Sequence, residues 1–147
     1  MKRWIGVDLH KRQFTVCWMS EESSKEEEYE VSEKGYEKFK KKLRKEDEIG
    51  VEATGNSGHF CDQIRGKVKR IAVINPRQFK VISESVKKTD KNDARAIAKY
   101  LKLGLLPEVR VMEKERREIK SLINPRDKLV KLRSSLKNKI HNILNDN

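Results

Sequence analysis

Long apolar runs are missing from this 147-residue chain, so a membrane role is the first class set aside. No stretch approaches the ~20 apolar residues of a spanning helix. The Met1-Lys2-Arg3 start also lacks the apolar segment of a signal peptide. Cysteine is scarce: Cys17 and Cys61 fit no metal or redox spacing and make no disulfide framework. They read as half-buried thiols of a reducing compartment, which points to the cytoplasm. Histidine is equally thin. His10, His59 and His141 show no ligand spacing, and ordinary polar roles are expected of them. The loop Gly55-Asn-Ser-Gly58 can offer backbone N–H groups to a phosphate, but without a P-loop lysine or a dinucleotide spacing it reads as a plain turn. No internal repeat is present, and the acidic patch Glu21–Glu30 is the only biased segment.

What is there is charge. Hydrophobic residues make up 35% and charged residues 39%, so a lean core and solvated helices are expected within a length suited to one domain. The net charge of +12 is unevenly spread: residues 1–60 carry 12 Lys/Arg against 13 Asp/Glu, residues 61–147 carry 23 against 10. A surplus of that size suits a nucleic-acid face, because neutralising phosphates releases counterions. A lysine-rich solvated surface fits the charge equally well.

The pattern of apolar residues supplies a framework. Ile5, Val7 and Leu9 alternate with Gly6 and Asp8, and Phe14, Val16 and Trp18 resume the alternation after a turn at His10-Lys11-Arg12, as in a hairpin. Glu26–Val31 reads as a polar third strand near an edge. Ser32 introduces a helix over 34–44 with the stripe Tyr36, Phe39 and Leu43. Ile49–Glu52 is a short strand, Phe60–Arg65 a helix, and Ile71–Ile74 a central buried strand stopped by Asn75-Pro76. Asp90 to Leu103 is helical, with Ala94, Ile97, Ala98 and Leu101 on one side and Gly104 and Pro107 at its end. This order predicts an α/β fold with a mixed sheet. In the last third Leu122, Leu129, Leu136 and Ile143 recur every seven residues, a coiled-coil-like stripe that Asn124-Pro125 is expected to interrupt as cap and first residue of a fresh helix. An intrachain helical hairpin fits that stripe too.

Four carboxylates stand out against this framework. Asp8 sits within an apolar strand and Glu52 ends another; singly, each fits a solvated carboxylate better than a ligand. Asp90 and Asp93 lie three apart at a helix start, where capping and metal binding account for them equally well. Jointly the odds change. If the first strand and the Glu52 strand are neighbours and the later helix crosses their ends, all four converge. Converging carboxylates repel unless a cation neutralises them. Oxygen ligands without Cys or His match Mg²⁺ or Mn²⁺. Two such ions about 4 Å apart serve phosphodiester chemistry.

The order Gly-Val-Asp8-Leu-His-Lys, Val-Glu52-Ala-Thr-Gly, Val-Ile-Asn75-Pro76 and Lys-Thr-Asp90-Lys-Asn-Asp93-Ala-Arg-Ala-Ile-Ala closely resembles the amino-terminal RuvC-like domain of the DEDD transposases of insertion sequences, relatives of the pilin-gene invertases. The tail from Leu129 to Leu144 resembles the helical segment that follows that domain. The resemblance implies an RNase H-like fold over 1–107 and a helical segment over 108–147. It implies the catalytic and metal-binding set Asp8, Glu52, Asp90 and Asp93. It also implies DNA as substrate, a structured guide RNA as partner, and pairing of subunits through the tail. Contacts to the nucleic-acid backbone would then fall to Lys87, Lys88, Lys91, Arg95, Lys128, Lys131, Arg133, Lys137 and Lys139. Family members continue into a second domain with a serine implicated in strand exchange. Ser134 and Ser135 do not match that motif, so a fragment or a truncated copy is expected. Two further functions stay open: a nucleic-acid-binding and dimerisation module without catalysis, and a stand-alone structure-specific nuclease.

Overall fold

Alternation in the first strands sorts their side chains onto two faces, and each face receives its own helices. The computed structural model describes residues 2–83, 90–110 and 113–145, with the side chains of 81–83 and 90–92 outside that description. Two compact units divide the chain, 1–111 and 112–147.

The first unit is built on β1 (Trp4–Leu9), β2 (Gln13–Met19), β3 (Ser24–Glu30), α1 (Glu33–Lys42), β4 (Glu48–Glu52), α2 (Ser57–Ile64), β5 (Arg70–Ile74), α3 (Pro76–Ser83), α4 (Asp90–Leu103) and β6 (Glu108–Val109). The strands form one sheet in the order β3-β2-β1-β4-β5-β6. The β1–β2–β3 meander is antiparallel, β1, β4 and β5 are parallel, and β6 is antiparallel to β5. This mixed sheet with flanking helices is RNase H-like, and the polar β3 lies at its edge as its sequence leads one to expect.

One face carries the main core, where Ile5, Val7, Leu9, Phe14, Val16, Ile49, Val51 and Val73 meet Tyr36 and Phe39 of α1 and Phe60 and Ile64 of α2. Phe14 lies at its centre, with the rings of Tyr29, Tyr36, Phe39 and Phe60 at 5.3–5.5 Å between centroids. Ser32 caps α1 by accepting from the Gly35 N–H at 3.1 Å. At the N-terminal ends of β1 and β4, Arg3 forks onto the buried Asp47 with Nε–Oδ1 2.9 Å and Nη2–Oδ2 2.6 Å. The other face takes α4. Trp4 and Ala72 pack with Leu101, Cys17 packs with Ala94 and Ala98, and Ile74 packs with Phe79 of α3 and Ile97.

Gly104, at φ 69, ends α4 in a Schellman arrangement: its N–H donates to Leu101 O at 3.1 Å and that of Leu105 to Tyr100 O at 3.0 Å. Two elements go beyond the sequence reading. Asn75-Pro76 does more than stop β5: the Asn75 Oδ1 accepts from Arg77 N at 3.0 Å and Pro76 opens α3. The strand β6 is only two residues long and carries no periodicity to read.

In the second unit α5 (Lys114–Asn145) is one helix that runs through Pro125, where a fresh start was expected. Pro125 removes the bond to the carbonyl four residues back, at a cost of about 3 kcal/mol relative to Ala. Ten Lys/Arg and good helix formers surround it, and exposure lets water satisfy the released carbonyl. The stripe residues Leu122, Leu129, Leu136 and Ile143 are all exposed on it. Among the described residues no helix is long and apolar enough to cross a membrane.

Both cysteines are buried, more deeply than expected. Burial is the main cause that pushes the Cys17 thiol up to about 11; Glu26 adds to the rise and Arg95 opposes it. A thiol reagent such as Ellman's should therefore find neither cysteine in the native protein and both after denaturation. Stoichiometric reaction of the native protein would contradict this packing.

Candidate metal centre

The same alternation that buries Ile5 and Val7 turns Gly6, Asp8 and His10 to the opposite face. Asp8 is almost fully buried there, at 5% exposure. The parallel register between β1 and β4 pairs Gly6 with Gly50 and Val7 with Val51. Carried one residue further, it sets Asp8 beside Glu52 on strands about 4.8 Å apart, with Glu52 half-buried. Two carboxylates so placed share one face at the C-terminal ends of two parallel strands.

The position of α4 follows from two glycines. A Cβ at Gly6 would meet Ala94 O at 2.0 Å and Ala98 N at 2.5 Å, and one at Gly50 would meet Ile97 Cγ2 at 2.8 Å. The helix backbone thus lies directly on β1. Because Ala94 sits at Gly6 and Leu101 sits at Trp4, α4 runs against the direction of β1. Its N-terminal end, with Asp90 and Asp93, is therefore directed towards the Asp8 end of the strand. Asp93 is half-buried in the first turn; the side chain of Asp90 lies outside the described residues.

Asp8 has a basic neighbour. His10 Nε2 lies 3.1 Å from Asp8 Oδ2, at the tip of the β1–β2 hairpin, which the His10 N–H closes on Gln13 O at 3.0 Å. Among the described residues no group of three or more His, Cys, Asp or Glu side chains is close enough to hold a metal ion. The strand register thus puts Asp8 and Glu52 at the same end of neighbouring strands, while Asp93 stands on the arriving helix without completing a cluster with them. The other buried acids, Asp47 and Glu48, are at the far end of β4, tied to Arg3 and Lys2 respectively.

The described basic residues named from sequence lie on α4 and on α5. Lys87 and Lys88, and the side chain of Lys91, lie outside the described residues. Arg95 is exposed on α4 and pairs with Glu26 of β3 at 2.8 Å. Lys128, Lys131, Arg133, Lys137 and Lys139 are all exposed on α5, and no acidic residue falls between 128 and 145. Sequence reasoning gave His10 only an ordinary polar role and gave Gly6 and Gly50 no role in seating a helix. The signal for all three was the two-residue step on either side of a carboxylate, Gly6-x-Asp8-x-His10 and Gly50-x-Glu52.

Comparison with known proteins gives a family match over nearly the whole chain. The sequence profile of the IS110-type DEDD transposases, described as Transposase, matches residues 5–146. The chain is also similar to the transposase for insertion sequence element IS1111A of Coxiella burnetii (strain RSA 493 / Nine Mile phase I), with 29% identity over 145 residues. That alignment covers 97% of this chain and 38% of the relative, so the chain spans well under half of that protein's length.

Proposed function

Since the chain belongs to the IS110-type DEDD transposase family, we propose that its first unit is the metal-dependent catalytic part of a DNA transposase or recombinase, with Asp8, Glu52, Asp90 and Asp93 as ligands. The observation that supports this reading is the parallel β1–β4 register, which ends at Val7 and Val51, one residue before Asp8 and Glu52, at the end of the sheet towards which α4 points its acidic first turn. The donor set fits a hard divalent ion, Mg²⁺ or Mn²⁺, since it offers carboxylate oxygens and a buried aspartate. Bound there, such an ion supplies activation of a nucleophile and stabilisation of a leaving oxygen in phosphodiester exchange. The chain's own part is to hold the carboxylates on rigid elements: Asp8 and Glu52 through the ladder, Asp93 through the seat of α4 on Gly6. The substrate is DNA in the cytoplasm, with a structured guide RNA as partner, and the basic residues of 61–147 track their phosphates.

Manganese titration tests the reading. Wild-type protein should bind Mn²⁺, and an Asp8→Asn, Asp93→Asn double variant should not; equal binding by the two would sink the assignment. A second reading, a nucleic-acid-binding and pairing module, is favoured by α5, which exposes both a basic surface and an apolar stripe. Branched and linear DNA in Mg²⁺ separates the two. Cutting that disappears with Asp8→Asn supports the catalytic domain, or a stand-alone nuclease if no strand transfer follows. Salt-sensitive binding without cutting, indifferent to the acidic substitutions, supports the module.

A further inference from the structure

Asp8 is the most buried of the described acids at the candidate centre, and its Oδ2 atom has almost no accessible surface. A side chain placed against that oxygen is His10, with Nε2 at 3.1 Å, an ion-pair approach whose angle falls short of a hydrogen bond. Strand geometry makes the approach local and robust. Asp8 and His10 are two residues apart on one face, and the hairpin bond from His10 N to Gln13 O fixes where the imidazole is hung. His10 itself is 43% exposed at its side chain, so its packing contributes little to the core. A half-exposed imidazole against the buried oxygen of a carboxylate has the arrangement of an outer partner that orients a metal ligand.

We propose that His10 is a positioning residue for Asp8, its imidazole holding Oδ2 in place across the 3.1 Å approach of Nε2 so that the carboxylate is set for a divalent cation. This rests on the reading of Asp8 as a metal ligand. In this role Nε2 carries the proton and Nδ1 is turned away from the carboxylate. His10 makes no bond to the ion and takes no part in bond breaking. The sequence alone does not reveal the role, because His10 has no histidine, cysteine or carboxylate at ligand spacing other than Asp8 itself.

The test uses the 147-residue chain and Mn²⁺ alone. His10→Phe keeps a ring and removes the donor; His10→Gln keeps an N–H donor. The expected result is Mn²⁺ binding weakened by roughly 10–100-fold in His10→Phe, the range found when an outer partner of a metal ligand is removed. His10→Gln should restore most of it, and both variants should remain folded at the titration temperature, as melting without metal checks. Pulsed EPR of the Mn²⁺-loaded wild type should lack the nitrogen coupling of a bound imidazole. Wild-type affinity in His10→Phe, loss in His10→Gln as deep as in His10→Phe, or a directly bonded nitrogen each overturns the positioning role while leaving the acidic site standing. Absence of Mn²⁺ binding by the wild type, or undiminished binding by Asp8→Asn, overturns the metal reading and this inference with it.

Discussion

Gly6→Ala is expected to destabilise the protein by about 3 kcal/mol, the upper end of the usual overpacking range, and to abolish tight Mn²⁺ binding in whatever folds. The new methyl would stand 2.0 Å from Ala94 O and 2.5 Å from Ala98 N. Both are backbone atoms of a helix, so no rotamer change relieves the clash; α4 must move off the sheet as a body. That motion opens the cluster of Cys17, Ala94 and Ala98 and draws Asp93 away from Asp8. A single methyl group is thus asked to affect stability and the candidate centre together. Gly55→Ala is the matched control, because nothing lies within 4 Å of its added carbon; a surface change of that kind stays within about 0.5 kcal/mol. Urea unfolding and Mn²⁺ titration of the two variants give the comparison. A Gly6→Ala protein as stable as Gly55→Ala would mean that α4 is not seated on β1.

The same glycine shows how far the sequence could be read. Alternation assigned the strands and put Ile5, Val7, Phe14 and Val16 on the core face, because burial on one side of a sheet leaves a period of two in the chain. The three-residue step between Asp90 and Asp93 marked a helix start for a similar reason. What the pattern could not carry was the partner of each face. Gly6 and Gly50 read as gaps in an alternation, and only the packed helix gives them meaning. The two Asn-Pro pairs illustrate the limit most clearly. Local chemistry is identical at Asn75-Pro76 and Asn124-Pro125, yet the first opens α3 and the second lies within α5. The difference is in what precedes them: the apolar strand Ile71–Ile74 in one case, and the charged helical run from Lys114 in the other. A cap motif reports a helix start only where the preceding chain is not already helical.

Asp47→Ala should be the most destabilising change away from the candidate centre, by roughly 3–5 kcal/mol, the cost of leaving one member of a buried ion pair alone. Asp47 is 1% exposed and takes both prongs of the Arg3 guanidinium. It also accepts the Arg44 N–H at 2.7 Å, and its backbone carbonyl accepts the Lys69 N–H at 2.9 Å. These bonds tie β1, the turn after α1 and the start of β5 to the N-terminal end of β4. Removal of the carboxylate leaves a guanidinium with 18% side-chain exposure facing the space it occupied. Arg3 keeps its bond to Lys42 O and its place over the Trp18 ring, 5.1 Å from the centroid, so it cannot simply swing into water without losing both. The partner test is a double-mutant cycle of Asp47→Ala with Arg3→Met: the double variant should recover much of the loss, since two uncharged side chains strand no charge. Location gives the prediction its second half. Asp47 lies at the end of β4 opposite Glu52. The folded fraction of Asp47→Ala should therefore bind Mn²⁺ as the wild type does, whereas Gly6→Ala should lose stability and metal together. If Asp47→Ala lost metal affinity in proportion to its stability, the two ends of the sheet would be coupled, and stability alone would no longer distinguish the acids that hold the fold from those proposed to hold the ion.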